Sequence, residues 1–111
     1  MTVLCIGGAH QGKAALVERL YPGLPLVRDL HRRVQAELAA GRDPLALLSE
    51  LYGCAITCDE VGCGVVPLDP ADEAYREAVG RLCCVLAARA DAVIRVTAGL
   101  PQYLKGEQPC I

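Results

Sequence analysis

The sequence predicts one α/β domain, with a mostly parallel sheet of about four strands and helices on both faces. Short apolar runs alternate along the chain with segments of helical periodicity, which is typical of a parallel sheet. The length of 111 residues suits a single domain. Hydrophobic residues make up 53% of the chain and charged residues 22%, a balance that excludes a disordered protein.

The first half of the chain alternates as such a sheet requires: a strand at Val3–Ile6, a helix over 13–20, a short strand at 25–27, and helices over 30–40 and 43–53. Leu30, Val34 and Leu38 share one face of the second helix, and Gly41 ends it. Asp43 is expected as the N-cap of the third helix, with Pro44 in its first position.

The second half predicts a strand at Cys54–Cys58, a long helix opened by Asp69-Pro70, and a strand at Ala92–Val96. On the long helix, apolar residues recur at positions 71, 75, 78, 79, 82 and 86, and the i,i+4 ion pairs expected are Asp72/Arg76 and Glu77/Arg81. The stretch Leu100–Ile111 contains two prolines and is expected to be irregular. We place the domain at residues 1–106 and a C-terminal tail at 107–111.

A glycine-rich loop directly follows the first strand, and it has the P-loop pattern G-x-x-x-x-G-K in Gly7, Gly12 and Lys13. In that pattern backbone N–H groups and a helix N-terminus hold phosphates, and the lysine adds a positive charge. We therefore expect ATP or GTP to be bound by Gly7, Gly8, Ala9, His10, Gln11, Gly12, Lys13 and Ala14. The alternative is a strand-to-helix turn that binds nothing.

Position 14 departs from this pattern, which calls for a Ser or Thr hydroxyl on Mg²⁺. Ala14 has none, so Mg²⁺ binding is weakened and phosphate binding is better supported than phosphoryl transfer. Asp29, after the second strand, is the candidate for an acid near the metal. Arg28 takes that place if the strand is one residue shorter, and a helix-capping role for Asp29 is equally compatible with the sequence.

The composition also restricts the partners. A net charge of −2 gives no basic surface for nucleic acid, and the absence of Phe and Trp argues against base stacking. No apolar run could span a membrane and no targeting segment is visible, so we expect a cytoplasmic protein. The seven cysteines lack the paired spacing of a metal site and are expected to act as small buried hydrophobes, so no metal ligands are assigned.

A second motif, Glu60-Val61-Gly62-Cys63-Gly64-Val65-Val66-Pro67, carries a resemblance to a known family. With the loop at 7–14 it resembles the bifunctional adenosylcobinamide kinase/adenosylcobinamide-phosphate guanylyltransferases of cobalamin biosynthesis. Further segments agree in kind and order: Ala39–Pro44, Gly80–Leu82, Ala90–Val93 and Ala98–Lys105. Asp59 replaces an Asn of the family motif.

The resemblance implies a kinase that phosphorylates the aminopropanol hydroxyl of a cobinamide and forms a homo-oligomer. It implies catalytic roles for Lys13, Asp29 and Glu60, and a substrate loop that contains Glu60, Val61, Gly62 and Gly64. For Glu60, capping of loop amides is the alternative.

The chain lacks the family segment, near residues 20–25, that carries the guanylylated histidine. Neither remaining histidine matches it: His10 lies in the loop, and His31 is expected to be a half-exposed helix residue. Guanylyltransferase activity is therefore expected to be lost. The alternative function is that of an inactive protein that binds nucleotide or corrinoid, or of a structural subunit in an oligomer.

Overall fold

A five-stranded sheet organises the computed structural model, which describes residues 1–9, 11–60 and 70–109. Its strands are β1 (Val3–Gly7), β2 (Leu26–Val27), β3 (Ala55–Asp59), β4 (Ala92–Thr97) and β5 (Leu100–Lys105). They lie in the order β2-β3-β1-β4-β5, with β1 to β4 parallel and β5 antiparallel to β4. The predicted mostly parallel α/β sheet is confirmed, with one strand more than expected.

The helices alternate with the parallel strands: α1 (Lys13–Leu20), α2 (Leu30–Ala39), α3 (Leu48–Leu51) and α4 (Pro70–Arg89). A 3₁₀ turn, Pro44–Leu47, precedes α3, so the helix predicted over 43–53 is α-helical only near its end. Asp43 caps this turn as predicted, because its carboxylate accepts the Leu45 N–H at 3.0 Å.

The longest helix, α4, packs on the sheet through the buried Val79, Leu82 and Leu86 and the partly buried Tyr75 and Ala78, which are five of the six apolar positions expected. The ion pairs predicted on its surface are present: Asp72–Arg76 at 3.4 Å and Glu77–Arg81 at 2.9 Å. Among the helices of the described residues, none combines the length and apolar character needed to cross a bilayer.

Separate apolar clusters cover the two faces of the sheet, because alternate residues of a strand point to opposite sides. Helices α2, α3 and α4 cover one face, where Leu4 and Ile56 are buried. Helix α1 covers the other face and packs on Val3, Cys5 and Ile94. The central strand β1 thus supplies both clusters, and helices on both faces are confirmed.

The expectation of an irregular chain from Leu100 is wrong, since residues 100–105 form β5. Strands β4 and β5 are joined by Ala98 and Gly99, whose φ angles are 52° and 76°. Two central residues with positive φ make the tight type I′ hairpin turn, whose twist matches that of the strands. Pro101 is tolerated because β5 lies at the sheet edge.

Burial of Cys5 beneath α1 makes the stability of the fold depend on alkaline pH. Loss of solvation raises the pKa of this thiol from 9.0 to about 11, against a smaller opposite effect of the Lys13 ammonium. In the unfolded chain the thiol ionises near pH 9, so ionisation favours unfolding between pH 9 and 11. The stabilisation from Cys5 is therefore complete below pH 9 and is lost as the pH rises through 11.

We expect Cys5→Ala to abolish this dependence, because alanine does not titrate. The difference in unfolding free energy between wild type and variant should fall by about 2 kcal/mol between pH 8 and pH 10.5. Urea unfolding at the two pH values measures it, and the other titrating groups cancel in the difference. A constant difference would contradict the raised pKa.

Candidate active site

The glycine-rich loop leaves the sheet at the carboxyl end of β1, between two neighbouring strands. Gly7 is the register partner of Asp59 on β3 and of Val96 on β4. A Cβ at Gly7 would lie 2.6 Å from the Val96 carbonyl oxygen, so only glycine fits this approach. Gly12 has a φ of 79° and N-caps α1. His10 lies outside the described residues.

Lys13, the first residue of α1, folds back over the loop and is only 7% exposed. Its Nζ donates to the Gly8 carbonyl oxygen at 2.7 Å and pairs with Asp59 Oδ1 at 2.7 Å. Because Asp59 ends the strand beside β1, the parallel pairing brings this carboxylate to the loop. The ammonium is thus oriented and neutralised at the edge of the sheet where ligands of parallel sheets bind.

Gln11, expected to contact nucleotide, contacts the β4–β5 turn with its side-chain oxygen. That oxygen, Oε1, accepts the backbone N–H of Ala98 at 2.5 Å. The contact fastens the loop to the hairpin, and Gln11 also lines the cavity described below.

His31 supports Asp59 from the helix side of the sheet, and the expectation that it is half-exposed is wrong, since it is 8% exposed. Its Nδ1 accepts the Asp59 backbone N–H at 3.1 Å. In the neutral ring the proton then belongs on Nε2, which lies 3.5 Å from Asp59 Oδ2. His31 therefore holds both the backbone and the carboxylate of Asp59.

Asp29 joins this group from the β2–α2 junction. Its backbone has a φ of 56°, and its N–H donates to Thr57 Oγ1 at 3.0 Å, which fixes the junction against β3. Its carboxylate makes no capping hydrogen bond to α2, so the capping alternative is wrong. Arg28 and Asp29 both line the cavity at the loop. Of the two, Asp29 is the residue whose side chain lies near Asp59, so it takes the position expected for the acid.

The side-chain oxygen and nitrogen atoms of Asp29, His31 and Asp59 that could bind a metal lie within 4.8 Å of one another. This spacing is short enough for a metal site. A metal on Nε2 would require that nitrogen to lose its proton. The remaining ring proton would then sit on Nδ1 and face the Asp59 N–H, which is also a donor. His31 is therefore unsuited as a ligand here, whereas two carboxylates are the hard oxygen ligands that Mg²⁺ takes.

An open cavity of about 430 Å³ lies over these groups. It is bounded by the loop, by the start of α1 and by the ends of β2 and β3. The side chains that could carry charge into it come from Lys13, Arg28, Asp29, Arg32 and Asp59. Arg28 and Arg32 are exposed and both line the cavity, so the cavity offers both cations and carboxylates.

The side chain of Glu60 contacts β4, the strand that lies on the opposite side of β1 from β3. Its carboxylate makes a two-point contact with the Arg95 guanidinium at 2.9 and 3.2 Å, and its N–H donates to the Gly7 carbonyl oxygen at 2.8 Å. Among the described residues, those that line the cavity do not include Glu60. The other predicted members of the substrate loop, Val61, Gly62 and Gly64, lie outside the described residues.

Sequence reasoning missed four residues of this site: Thr57, Asp59, His31 and Arg32. One signal was available for Asp59. It directly follows the apolar run of β3, and the ends of neighbouring parallel strands meet at one edge of a sheet. No comparable signal marked the burial of His31.

A comparison with models of protein families finds a match over most of the chain. The family model described as cobinamide kinase / cobinamide phosphate guanyltransferase matches residues 34–104, nearly two thirds of the chain. The match begins after the glycine-rich loop, Asp29 and His31. No curated protein matches the chain.

The close approach at Gly7 predicts a position-specific loss of stability. Gly7→Ala should lower the unfolding free energy by about 1–3 kcal/mol, because the new Cβ would overlap the Val96 carbonyl and force the strands apart.

Gly8→Ala is the matched control. Its Cβ would have ordinary contacts only, 3.7 Å and more from the Gln11 side chain. Urea unfolding of both variants measures the effect. Equal stability of the two variants would contradict the argument for Gly7.

Proposed function

Since the chain belongs to the cobinamide kinase/cobinamide phosphate guanyltransferase family, we propose that it binds ATP or GTP and phosphorylates the aminopropanol hydroxyl of a cobinamide. One observation carries the proposal. The only lysine at the described site, Lys13, is buried over the glycine-rich loop at the start of α1, where a phosphate would meet it.

Phosphate binding needs donors that are oriented in advance. The first N–H groups of α1 lack helical partners, and the eight-residue helix adds its positive end. Lys13 supplies a positive charge, and Arg28 and Arg32 offer planar guanidinium groups that suit phosphate oxygens. No ion pair of either arginine is found among the described residues, so both are available to an anion.

Asp29 and Asp59 would hold Mg²⁺ in this proposal. The metal would supply charge neutralisation between the phosphates, which the chain cannot assist through a hydroxyl at Ala14. The carboxylates of Asp29 and Asp59 would be protein ligands of the metal in place of that hydroxyl. Asp59 must then exchange Lys13 for the metal, and His31 holds Asp59 in position during the exchange.

In the transfer step the substrate hydroxyl oxygen bonds to the γ-phosphorus, and the bond from that phosphorus to the β-phosphate oxygen breaks. The diphosphate nucleotide leaves with that oxygen. Asp29, through the carboxylate oxygen that would not contact the metal, is the acceptor we assign for the hydroxyl proton, because its side chain makes no capping hydrogen bond and lines the cavity. Glu60, paired with Arg95, is better suited to fixing the second loop.

Guanylyl transfer through a covalent histidine is not part of the proposal. His31 is buried behind Asp59, its Nδ1 accepts a backbone N–H, and its Nε2 points to a carboxylate. Neither nitrogen is free to attack a phosphorus atom.

The second candidate is a protein that binds nucleotide without turnover. The Lys13–Asp59 ion pair favours it, because a phosphate must displace a carboxylate 2.7 Å from the lysine before it can bind. The missing hydroxyl at Ala14 acts in the same direction.

The two candidates differ in product. Purified protein is incubated with cobinamide, Mg²⁺ and ATP or GTP, and corrinoids are separated by chromatography. The kinase should form phosphorylated cobinamide, and Lys13→Ala should reduce the rate about 100-fold or more. Lys105→Ala, an exposed lysine of β5, is the matched control.

Absence of product together with thermal stabilisation by nucleotide would favour the binding protein. Absence of stabilisation by either nucleotide would contradict both candidates. If the kinase is active, Ala14→Ser should increase its rate and its dependence on Mg²⁺.

The ion pair yields a separate prediction. Asp59→Asn removes the carboxylate that competes with phosphate for Lys13 and also one proposed metal ligand. In EDTA, affinity for nucleotide should rise about tenfold, which corresponds to about 1.4 kcal/mol. With Mg²⁺ the gain should shrink or reverse.

Calorimetric titration with and without Mg²⁺ measures both effects. Glu18→Gln, on the exposed side of α1, controls for the loss of one negative charge. Weaker binding by Asp59→Asn in EDTA would rule out competition between the carboxylate and phosphate.

A further inference from the structure

Two cysteines that lie outside the cavity of the proposed site face each other between β3 and α4. Cys58 is fully buried at the end of β3, and Cys83 is half-buried on α4. Their sulfur atoms are 3.8 Å apart. A disulfide bond needs about 2.05 Å between the sulfurs, so the two sulfur atoms must approach by less than the length of one such bond.

A second cavity gives access to this pair. It has a volume of about 310 Å³ and lies between α4 and the β1–β4 side of the sheet, with Cys83, Cys84, Leu4, Val93 and Leu104 in its walls. Cys58 is not among them. A small oxidant that enters this cavity reaches Cys83 first, and Cys58 only through Cys83.

We propose that Cys58 and Cys83 form a redox-sensitive disulfide, with a peroxide as the oxidant. The arrangement determines which of the two cysteines reacts with the oxidant first. Cys83 lines the cavity, whereas Cys58 is fully buried and does not line it. The accessible sulfur of Cys83 is thus oxidised first, and the buried Cys58 acts as the resolving thiol.

The reaction balances without other groups. The Cys83 thiolate attacks one peroxide oxygen, the S–O bond forms, the O–O bond breaks, and the departing hydroxide takes the proton that Cys83 lost. Cys58 then attacks the Cys83 sulfur, the S–S bond forms and the S–O bond breaks. The second hydroxide takes the Cys58 proton. Two thiols and one hydrogen peroxide give one disulfide and two waters.

The disulfide would act on the chain next to the proposed active site. Cys58 precedes Asp59, and its thiol donates to the Asp59 carbonyl oxygen at 3.4 Å. Oxidation removes that hydrogen bond and ties the end of β3 to α4. The ring it closes, from residue 58 to residue 83, contains the whole second loop.

Mass spectrometry tests the proposal independently of any nucleotide activity. The protein is treated with one equivalent of hydrogen peroxide, remaining thiols are blocked, and the intact mass should show loss of two of the seven thiols. Trypsin should then give peptide 43–76 linked to peptide 82–89, and cleavage before Asp59 should leave the link on fragment 43–58.

Cys58→Ser and Cys83→Ser should each abolish the link. Cys54→Ser and Cys84→Ser, which change the other cysteines of the linked fragments, should retain it. A link that survives in Cys58→Ser or Cys83→Ser, or no link in the wild type, would overturn the proposal. Since Cys83 is only half-buried, its variant keeps the test valid even if Cys58→Ser unfolds.

Discussion

The ion pair between Lys13 and Asp59 is the interaction on which the candidate site depends. It joins the first residue of α1 to the last residue of β3, and so links the glycine-rich loop to the neighbouring strand. Neither charge is well solvated: the lysine is 7% exposed and the carboxylate 25%. Because a buried charge without a partner is costly, each residue requires the other in the absence of ligand. His31 then fixes Asp59 from behind.

This dependence explains why the same ion pair both orients the lysine and competes with an incoming anion for it. The ion pair orients Lys13 over the loop, where the proposed phosphate would bind, and also occupies the lysine. An incoming anion can pair with Lys13 only if Asp59 pairs with another positive group. A divalent cation bound by Asp29 and Asp59 would be such a group. In the proposed function the site would therefore favour a metal–nucleotide complex over a free anion, although Ala14 provides no hydroxyl for that metal.

The sequence predicted the elements well because apolar periodicity is local, and the P-loop pattern marked Gly7, Gly12 and Lys13 by spacing alone.

Prediction from the sequence failed where the outcome depends on contacts between distant segments. His31 has the same helical neighbours whether buried or exposed, and its burial follows from the pairing of β2 with β3. Glu60 directly follows Asp59, the last residue of β3, yet its ion pair with Arg95 on β4 holds it away from the cavity. The β4–β5 turn was missed because Ala-Gly is an unusual pair for a type I′ hairpin.

The parallel register at Gly7 also has a consequence for the order of folding. Gly7 meets Asp59 and Val96, partners more than fifty and more than eighty residues away along the chain. The β4–β5 hairpin is local and closes quickly, whereas the β1–β3 pairing must first close a long loop of chain. The glycine-rich loop and Lys13 meet Asp59 only in that late step. A partly folded chain with the hairpin formed therefore has no site, and ligand binding marks completion of the central sheet.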